Sequence, residues 1–564
     1  MNPQPGSPAR ESETSQQTSP SGRELAILIV AACLLATLMN WPVVSRLGTH
    51  VPESLVDPPL QAWQVAWGGH ALLHQPTQYF DSNTFWPLRD TLAFSDALIG
   101  YAPAGLVGHG VEASLIRYNL LHLISYALAF AGSYLLAREL GAGPAGAAVA
   151  GAVFAFAPWR LSQNHHLNVL SSGGIPLSLF LLVRGYRRRS PAMVVSGWAA
   201  ASWQISLGFT LGLQLIYLLG SLGVIWAVNW VRRRGPRPER RLVIASAAGI
   251  ILLMGWTAWQ AAPYFSVVQA HPEARRTLSQ VSFFSPPIKG LLAAPPSSIP
   301  YGELTTPVRR LLRWPQEQTL FPGIAAPALA LLGFLRGTYS RSLRVGLAIG
   351  IFAVVTLSLG FEVWGPTSPY RLLFDYAPGW QGIRTPGRLM TLSTLGLAVL
   401  AGAGARWVID QVGSLQRFGT APALKVGVAV LLLGATLLDG VGRLATVPVP
   451  PVPPGQLGLP DPQLHLPLFE DPLYMLWSTD GFPRIVNGYS GFFPRSRSAL
   501  LKATRGFPDE RSVAFLRSLG VRMVVLHPSL ARGTPWDDAA TKSTSDLPLL
   551  RTHRDGVVLF VLDA

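Results

Sequence analysis

The sequence is short of cysteine and of charged residues. Its one cysteine, Cys33, lies in an apolar run, so the 564-residue chain can form neither an internal disulfide nor a cysteine-based metal site. Asp, Glu, Lys and Arg make up 13% of the residues, roughly half of what soluble domains carry, whereas 49% are hydrophobic. This composition predicts a polytopic membrane protein.

Several familiar motifs are also missing. No zinc-finger, helix-turn-helix or RNA-recognition pattern accompanies the net charge of +16, so we expect no nucleic-acid partner. No Walker A, G-x-S-x-G, H-E-x-x-H or dinucleotide fingerprint occurs, which disfavours an ATP-driven pump, a lipase-like enzyme and a zinc protease. The two halves of the chain are not similar, which disfavours many transporters.

The sequence does contain long apolar segments. A transmembrane helix needs about 20 apolar residues, or somewhat fewer when polar ends reach the interface. A further apolar stretch at 95–112 is interpreted as an interfacial helix, since another span there would reverse the predicted orientation of every later span. We predict eleven spans: 24–45, 114–138, 143–158, 169–186, 191–207, 208–231, 241–262, 319–336, 343–361, 386–408 and 422–442.

Clustered arginines indicate the orientation of these spans. "RGYRRRS" at 184–190 and "VRRRGPRPERR" at 231–241 fall in loops on the same side as the N-terminus. Loops rich in Lys and Arg stay in the cytoplasm. We therefore predict a multi-pass protein of the plasma (inner) membrane, with a cytoplasmic N-terminus and an external C-terminus.

The composition divides the chain into four parts. Residues 1–23 are polar and rich in Ser, Pro and Gln, which is typical of a disordered tail, here cytoplasmic. Residues 24–442 form the transmembrane domain, with a long external loop at 46–113. A Pro-rich linker at 443–462 leads to 463–564, where short apolar strands alternate with a helix and predict a small external α/β domain.

The external loop begins with "DPPLQAWQVAWGGHAL", residues 57–72. Asp57 followed by two prolines is a typical helix start, with the aspartate as N-cap. Trp63 and Trp67 then lie on one helix face and suit the membrane interface. On this interpretation Asp57 is a cap and the two tryptophans are anchors, so the loop needs no catalytic role.

The whole arrangement resembles the GT-C superfamily of membrane glycosyltransferases. The resemblance rests on an acidic residue soon after the first span, on "FDSNTFWPLRDTLAFSDALIG" at 80–100 and on "GAVFAFAPWRLSQNHHLNVLSSGGIPLSLFLL" at 151–182, which is similar to bacterial mannosyltransferases and aminoarabinose transferases. It covers most of the first 200 residues. The Asp-Glu pair of the protein O-mannosyltransferase branch is absent, because prolines follow Asp57.

The resemblance implies a substrate class and a reaction. Such enzymes take a sugar from a polyprenyl phosphate and transfer it to a glycan, lipid or protein acceptor on the external face, in contact with membrane lipids. The acceptor hydroxyl needs a general base, usually a carboxylate. We predict Asp57 as the base, with Asp96 and Asp81 as alternative candidates. Helix capping or exposure to solvent in a loop would also explain Asp96 and Asp81.

The leaving phosphate needs cations. Arg384 and Arg388 stand at the external start of the span 386–408, where a helix N-terminus adds positive potential, and Arg160 is a second candidate. Snorkelling to lipid headgroups is the alternative explanation for these arginines. The rings of Trp63 and Trp67 could flank a sugar.

Two adjacent histidines fall in another predicted external connection. His165 and His166 could orient the sugar, bind the phosphate or ligate a metal. Neighbouring residues cannot share one helix face, so the sequence predicts no two-histidine metal site, and we assign no metal ligands. A divalent cation is still a candidate cofactor, because some GT-C branches use one.

Two other classes of function fit the same composition. A polytopic transporter or lipid flippase would place ionisable residues or broken helices at mid-membrane, whereas the charges here collect at span ends and in loops. A non-catalytic glycan-assembly protein on the same fold would differ from an enzyme only in its activity.

Overall fold

The computed structural model describes residues 20–235, 238–414 and 421–562. Most of the predicted disordered tail therefore lies outside the described residues. A helix coincides with each predicted span. In the described ranges, eight helical segments are long and apolar enough to cross a membrane: Gly22–Met39, Gly110–Leu140, Leu167–Arg187, Phe209–Arg232, Arg240–Ala270, Arg341–Ser358, Pro386–Val412 and Pro422–Asp439.

The remaining predicted spans are shorter helices. They are Gly143–Ala155, Pro191–Leu207 and Ala325–Arg336. Glycine brings one of them very close to the long helix Met390–Ser414. A Cβ on Gly404 would lie 2.0 Å from the backbone oxygen of Leu329. Small residues at such contacts are typical of helix packing inside membranes.

The helix predicted at the start of the loop 46–113 is Asp57–His74, and most of it is buried within the protein. Trp63 and Trp67 are each 2% exposed. The indole nitrogen of Trp63 donates to Asn83 Oδ1 at 3.1 Å, and the Trp67 ring packs on Phe482 of the C-terminal region at 5.5 Å. The interpretation of these tryptophans as membrane anchors is therefore wrong, since the C-terminal region covers them.

The prediction of a second interfacial helix at 95–112 is also wrong. The chain forms two 3₁₀ helices instead, Thr91–Phe94 and Ile99–Leu106, and the long helix starts at Gly110. Leu98 between the two 3₁₀ helices has a φ of 49°, a left-handed conformation that an α-helix does not contain. The segment folds around this break and is mostly buried up to Ala102.

The C-terminal part contains the predicted sheet. Its strand order places Gln463–Leu466 parallel to Met523–Leu526, followed by Val557–Val561 and Leu550–Arg554 in antiparallel pairs. The main helices beside the sheet are Asp471–Trp477, Arg495–Thr504 and Glu510–Ser518.

A second, two-stranded sheet joins distant parts of the chain. Thr446–Pro448 of the predicted linker pairs with His50–Pro52 of the loop 46–113. The C-terminal part is thus attached to the loop by backbone hydrogen bonds as well as by the side chains around Trp67.

Two histidines are buried side by side in the C-terminal domain. The Nδ1 atom of His465 lies 3.0 Å from Nε2 of His527, and Nε2 of His465 lies 3.1 Å from Gln463 Oε1. Burial lowers the pKa of His465 to about 3 and that of His527 well below its ordinary value. Both imidazoles are therefore neutral in the folded domain.

We expect acid to destabilise this domain. The unfolded chain binds a proton at His465 near pH 6.5, but the folded chain does so only near pH 3. The contribution of neutral His465 to the free energy of unfolding is therefore fully present above pH 6.5 and is lost as the pH falls below that value. At pH 5 the loss from His465 is about 2 kcal/mol. Urea unfolding of the full-length protein, followed by tryptophan fluorescence, measures it. His465→Asn should flatten the pH profile, and an unchanged profile would contradict the assignment.

Candidate active site

A cavity of about 600 Å³ opens between the loop 46–113, the ends of several helices and the C-terminal region. Asp57 and Gln61 line it from the loop helix, and Tyr264 lines it from the helix Arg240–Ala270. Its other polar lining includes Asp96, His166, Arg276, Arg384, Arg388 and Tyr489. Side chains from widely separated parts of the sequence thus meet here.

Asp57 is the first residue of its helix, and Val56 occupies the N-cap position. The carboxylate makes no capping hydrogen bond, so the prediction of Asp57 as N-cap is wrong. Its Oδ2 atom lies 3.1 Å from Nε2 of His166. Burial alone would raise the pKa of Asp57, but the hydrogen bond to His166 and the nearby charge of Arg388 lower it below its ordinary value. The carboxylate is therefore ionised at neutral pH.

His165 and His166 come together because they are not helical. They lie between the 3₁₀ helix Pro158–Gln163 and the short helix Leu167–Leu170, and their ring centroids are 3.9 Å apart. One ligand atom from each of Asp57, His165 and His166 falls within 4.8 Å of the others. The argument against a site from adjacent histidines assumed a helix, and that assumption is wrong here.

The outer nitrogens of both rings already have acceptors. Nδ1 of His165 lies 2.9 Å from Glu53 Oε2, and Nδ1 of His166 lies 3.0 Å from Gln163 Oε1. The amide nitrogen of Gln163 donates to the backbone oxygen of Gln316, which fixes the orientation of that amide. With a proton on each Nδ1, the Nε2 atoms are left as the metal-binding positions, as is usual for metal-binding histidines. The contact of Nε2 of His166 with Asp57 also needs a proton on Nε2, so this lone pair becomes free for a metal only when that proton leaves.

A hydrogen-bond network fixes the segment that carries these histidines. Gln61, one turn after Asp57, accepts from the backbone N–H of Leu167 at 2.8 Å and donates to Asn168 at 3.1 Å. The amide of Asn168 donates in turn to Asp96, whose other oxygen accepts the N–H of Phe209 at 3.0 Å. Asp96 thus lines the cavity, but both of its oxygens hold the framework.

Arg388 is paired with a buried glutamate. Its Nη2 atom lies 2.5 Å from Glu317 Oε1, and its Nε atom lies 3.2 Å from Oε2. Burial would raise the pKa of Glu317, but Arg388 and His166 lower it below its ordinary value. The charge of Arg388 is therefore largely neutralised by a partner. Sequence reasoning missed Glu317, which is the one acidic residue in "RWPQEQTLF".

Arg384 lies next to a second arginine that sequence reasoning also missed. Nη1 of Arg276 and Nη1 of Arg384 donate to the same backbone oxygen, that of Gly491, at 2.9 and 3.4 Å. In the part of the chain that the structure describes, neither forms a salt bridge. Burial and the charge of Arg384 lower the pKa of Arg276 to about 10. The pair still carries positive charge and faces the cavity.

The other predicted site residues lie outside the cavity. Asp81 Oδ1 accepts the backbone N–H of Asp90 at 2.7 Å, which stabilises a turn. Arg160 is 1% exposed and donates to Ser172 Oγ and to a backbone oxygen, each at 3.0 Å. Trp63 and Trp67 do not line the cavity either.

Solved structures share this architecture. The arabinofuranosyltransferase AftD from Mycobacteria matches 97% of this chain with a TM-score of 0.58 and 15% sequence identity. The chain has the GT-C fold. It spans 42% of the AftD chain, so less than half of that protein is matched. Neither a protein-family model nor a curated protein sequence matches the chain.

A second similar structure comes from an archaeon. The oligosaccharyltransferase AglB from Archaeoglobus fulgidus, in complex with an inhibitory peptide and a dolichol-phosphate, matches 95% of this chain and 74% of its own. The TM-score is 0.43 and the identity is 15%.

The ion pair predicts how Arg388 variants behave. Arg388→Ala should lower the stability of the protein by about 3–5 kcal/mol, because Glu317 remains buried without a partner. The double variant Glu317→Gln/Arg388→Met should recover much of the loss. Thermal unfolding in detergent measures both, and Arg384→Ala is the control, since no salt bridge is lost there. Equal midpoints for the two alanine variants would contradict a structural ion pair.

Proposed function

We propose that this chain is a membrane glycosyltransferase that moves a sugar from a polyprenyl phosphate to a glycan, lipid or protein acceptor. The observation that carries the proposal is one cavity that holds both an ionised carboxylate, Asp57, and an arginine pair, Arg276 and Arg384. A sugar transfer from a lipid phosphate needs both a base and cations.

The cavity also suits the lipid part of such a donor. One wall comes from the end of the helix Arg240–Ala270 and includes Ala261, Phe265 and Val268. This helix is one of the candidate membrane spans, and the Phe265 side chain is 64% exposed. A polyprenyl chain can therefore lie along this wall while its phosphate reaches the arginines.

The proposed reaction is a displacement at the anomeric carbon. The acceptor hydroxyl gives its proton to Asp57, since Oδ2 faces His166 and Oδ1 is left for the substrate. The acceptor oxygen bonds to the anomeric carbon as the bond from that carbon to the phosphate oxygen breaks. The electron pair stays on the phosphate, whose negative charge Arg276 and Arg384 stabilise.

Asp57, His165 and His166 also fit a divalent cation. Carboxylate oxygen and imidazole nitrogen are suitable ligands, and the Nδ1 partners Glu53 and Gln163 orient both rings. Such an ion, when bound, would supply positive charge to a phosphate nearby. The orientation of the two rings by Glu53 and Gln163 is a property of the protein itself.

We place the reaction on the external side of an inner membrane. The helix Gly174–Arg187 has arginines in its last turn, whereas His166 and Asn168 line the cavity just before its start. The helix Phe209–Arg232 likewise starts at the cavity and ends in arginine. By the positive-inside rule the arginine ends face the cytoplasm and the cavity faces outward.

Asp57→Asn tests the role of the base. Asparagine cannot accept the proton at neutral pH, so transfer should fall about 10²–10⁴-fold. Asp57 makes no capping bond, so membrane abundance should stay close to that of the wild type. The measurement compares abundance with surface glycan in the same cells. Asp81→Asn is the matched control outside the cavity, and normal transfer in Asp57→Asn would refute the proposed base.

The arginine pair should set the affinity for the donor phosphate. Replacing Arg276 or Arg384 by Gln removes a charge-assisted contact, which is worth about 1.5–3 kcal/mol, so the Kd for a polyprenyl phosphate should rise about tenfold or more. Tryptophan fluorescence of the purified protein can follow the titration. Arg495→Gln is the control, because that side chain is 89% exposed. The same Kd in all variants would exclude a phosphate role for the pair.

A further inference from the structure

A second, smaller cavity lies in the C-terminal domain. Its volume is about 170 Å³. Its walls come from the end of the Pro-rich linker, from the strand Gln463–Leu466 and from the helix Asp471–Trp477. The side chains that give it its chemical character are Gln456, Gln463, His465, Tyr474, Trp477 and Ser478.

The two glutamines of this cavity differ in their hydrogen bonding. Gln463 is fully engaged, since its nitrogen donates to the Leu459 oxygen at 3.1 Å and its oxygen lies 3.1 Å from His465. Gln456 is 8% exposed, and its Oε1 atom has no partner among the described residues. The hydroxyl of Tyr474, which is 1% exposed, is likewise unpartnered in that part of the chain. Buried polar groups normally have partners, so both groups call for a ligand or ordered water.

The lining restricts the chemistry of that ligand. Of the described residues, no Lys or Arg lines the cavity, and Asp480 at its exposed edge is the one acidic side chain. His465 is neutral because burial lowers its pKa to about 3. The rings of Tyr474 and Trp477 provide apolar walls. The ligand must therefore be neutral, must carry hydrogen-bond donors and must have apolar faces.

The volume restricts its size. Pockets for drug-sized molecules measure about 300–1,000 Å³, and a water in the liquid takes about 30 Å³. The cavity is smaller than the first and larger than a single water site, so it has room for one small ring.

We infer that this cavity binds a single neutral sugar residue, with Gln456 accepting one of its hydroxyl protons. This inference goes beyond the proposed function, because the site is separate from the cavity that contains Asp57 and takes no part in the reaction. The helix Asp471–Trp477, which forms one wall, packs on the helix Asp57–His74 of the first cavity. The site would thus hold a sugar of a longer glycan near the reaction.

Saturation-transfer NMR on the full-length protein in detergent tests the inference. The probes are methyl α-D-glucopyranoside and methyl α-D-arabinofuranoside, one with a six-membered and one with a five-membered ring. Saturable binding of either is expected. Gln456→Leu should weaken it about tenfold or more, because the sugar hydroxyl loses its acceptor. The same variant should unfold at an unchanged or higher temperature, since an unpartnered buried acceptor is removed.

Two further variants complete the test. Gln463→Leu is the matched control: it should lower the unfolding temperature, because His465 and Leu459 lose the partner that they now have. Asp81→Asn, outside both cavities, should leave the saturable signal unchanged. The inference is overturned if neither sugar binds or if Gln456→Leu binds as the wild type does. If Gln456→Leu lowers the unfolding temperature, Oε1 of Gln456 binds a structural water in the wild type. That result would also overturn the inference.

Discussion

The contact between Asp57 and His166 is the interaction on which the rest of the site depends. It joins the loop 46–113 to the connection at 158–170, and both side chains are mostly removed from solvent. A buried carboxylate is expensive unless positive charge and hydrogen bonds compensate for it. His166, His165 and the more distant Arg388 provide that compensation. These partners offset the cost of burying Asp57 at the start of the loop helix.

The same requirement explains the charges around this contact. Glu53 accepts from His165, and the buried Glu317 pairs with Arg388, so both acidic groups have direct partners. Arg276 and Arg384 differ from them, because both share one backbone oxygen, which carries only a partial charge. Arg276 and Arg384 thus add positive charge, without a salt bridge in the described part of the chain, to a cavity that Asp57 and Asp96 also line. Under the proposed function, the phosphate of a lipid-linked donor would complement this arginine pair, and its lipid would lie along the apolar wall.

The sequence predicted the positions of the helices and strands well, but it predicted poorly what each of them packs against. Apolar runs located a helix at every predicted span, because a membrane helix must satisfy its backbone and its apolar surface within one segment. The helix at Asp57 was found for similar local reasons. Its burial was not, since Trp63 and Trp67 look the same in sequence whether lipid or a domain some 400 residues away covers them. The geometry of His165 and His166 was missed because it depends on a local break in the helix.

The site residues show the same difference between what the local sequence predicts and what distant parts of the chain determine. Asp57, Asp96, Arg384 and Arg388 were predicted because charge is rare in this chain and each lies close to the end of a span or in an external loop. These four residues differ in their hydrogen-bond and salt-bridge partners, which are distant in sequence. Asp96 accepts from Phe209, Arg388 pairs with Glu317, and Arg384 donates to Gly491. Asp96 and Arg388 are committed to the framework by their partners, whereas Asp57 and Arg384 keep a polar group toward the cavity. In a chain with so little charge, a charged side chain that lines the cavity without a salt bridge in the described residues, such as Arg384, is the first candidate for contact with a substrate.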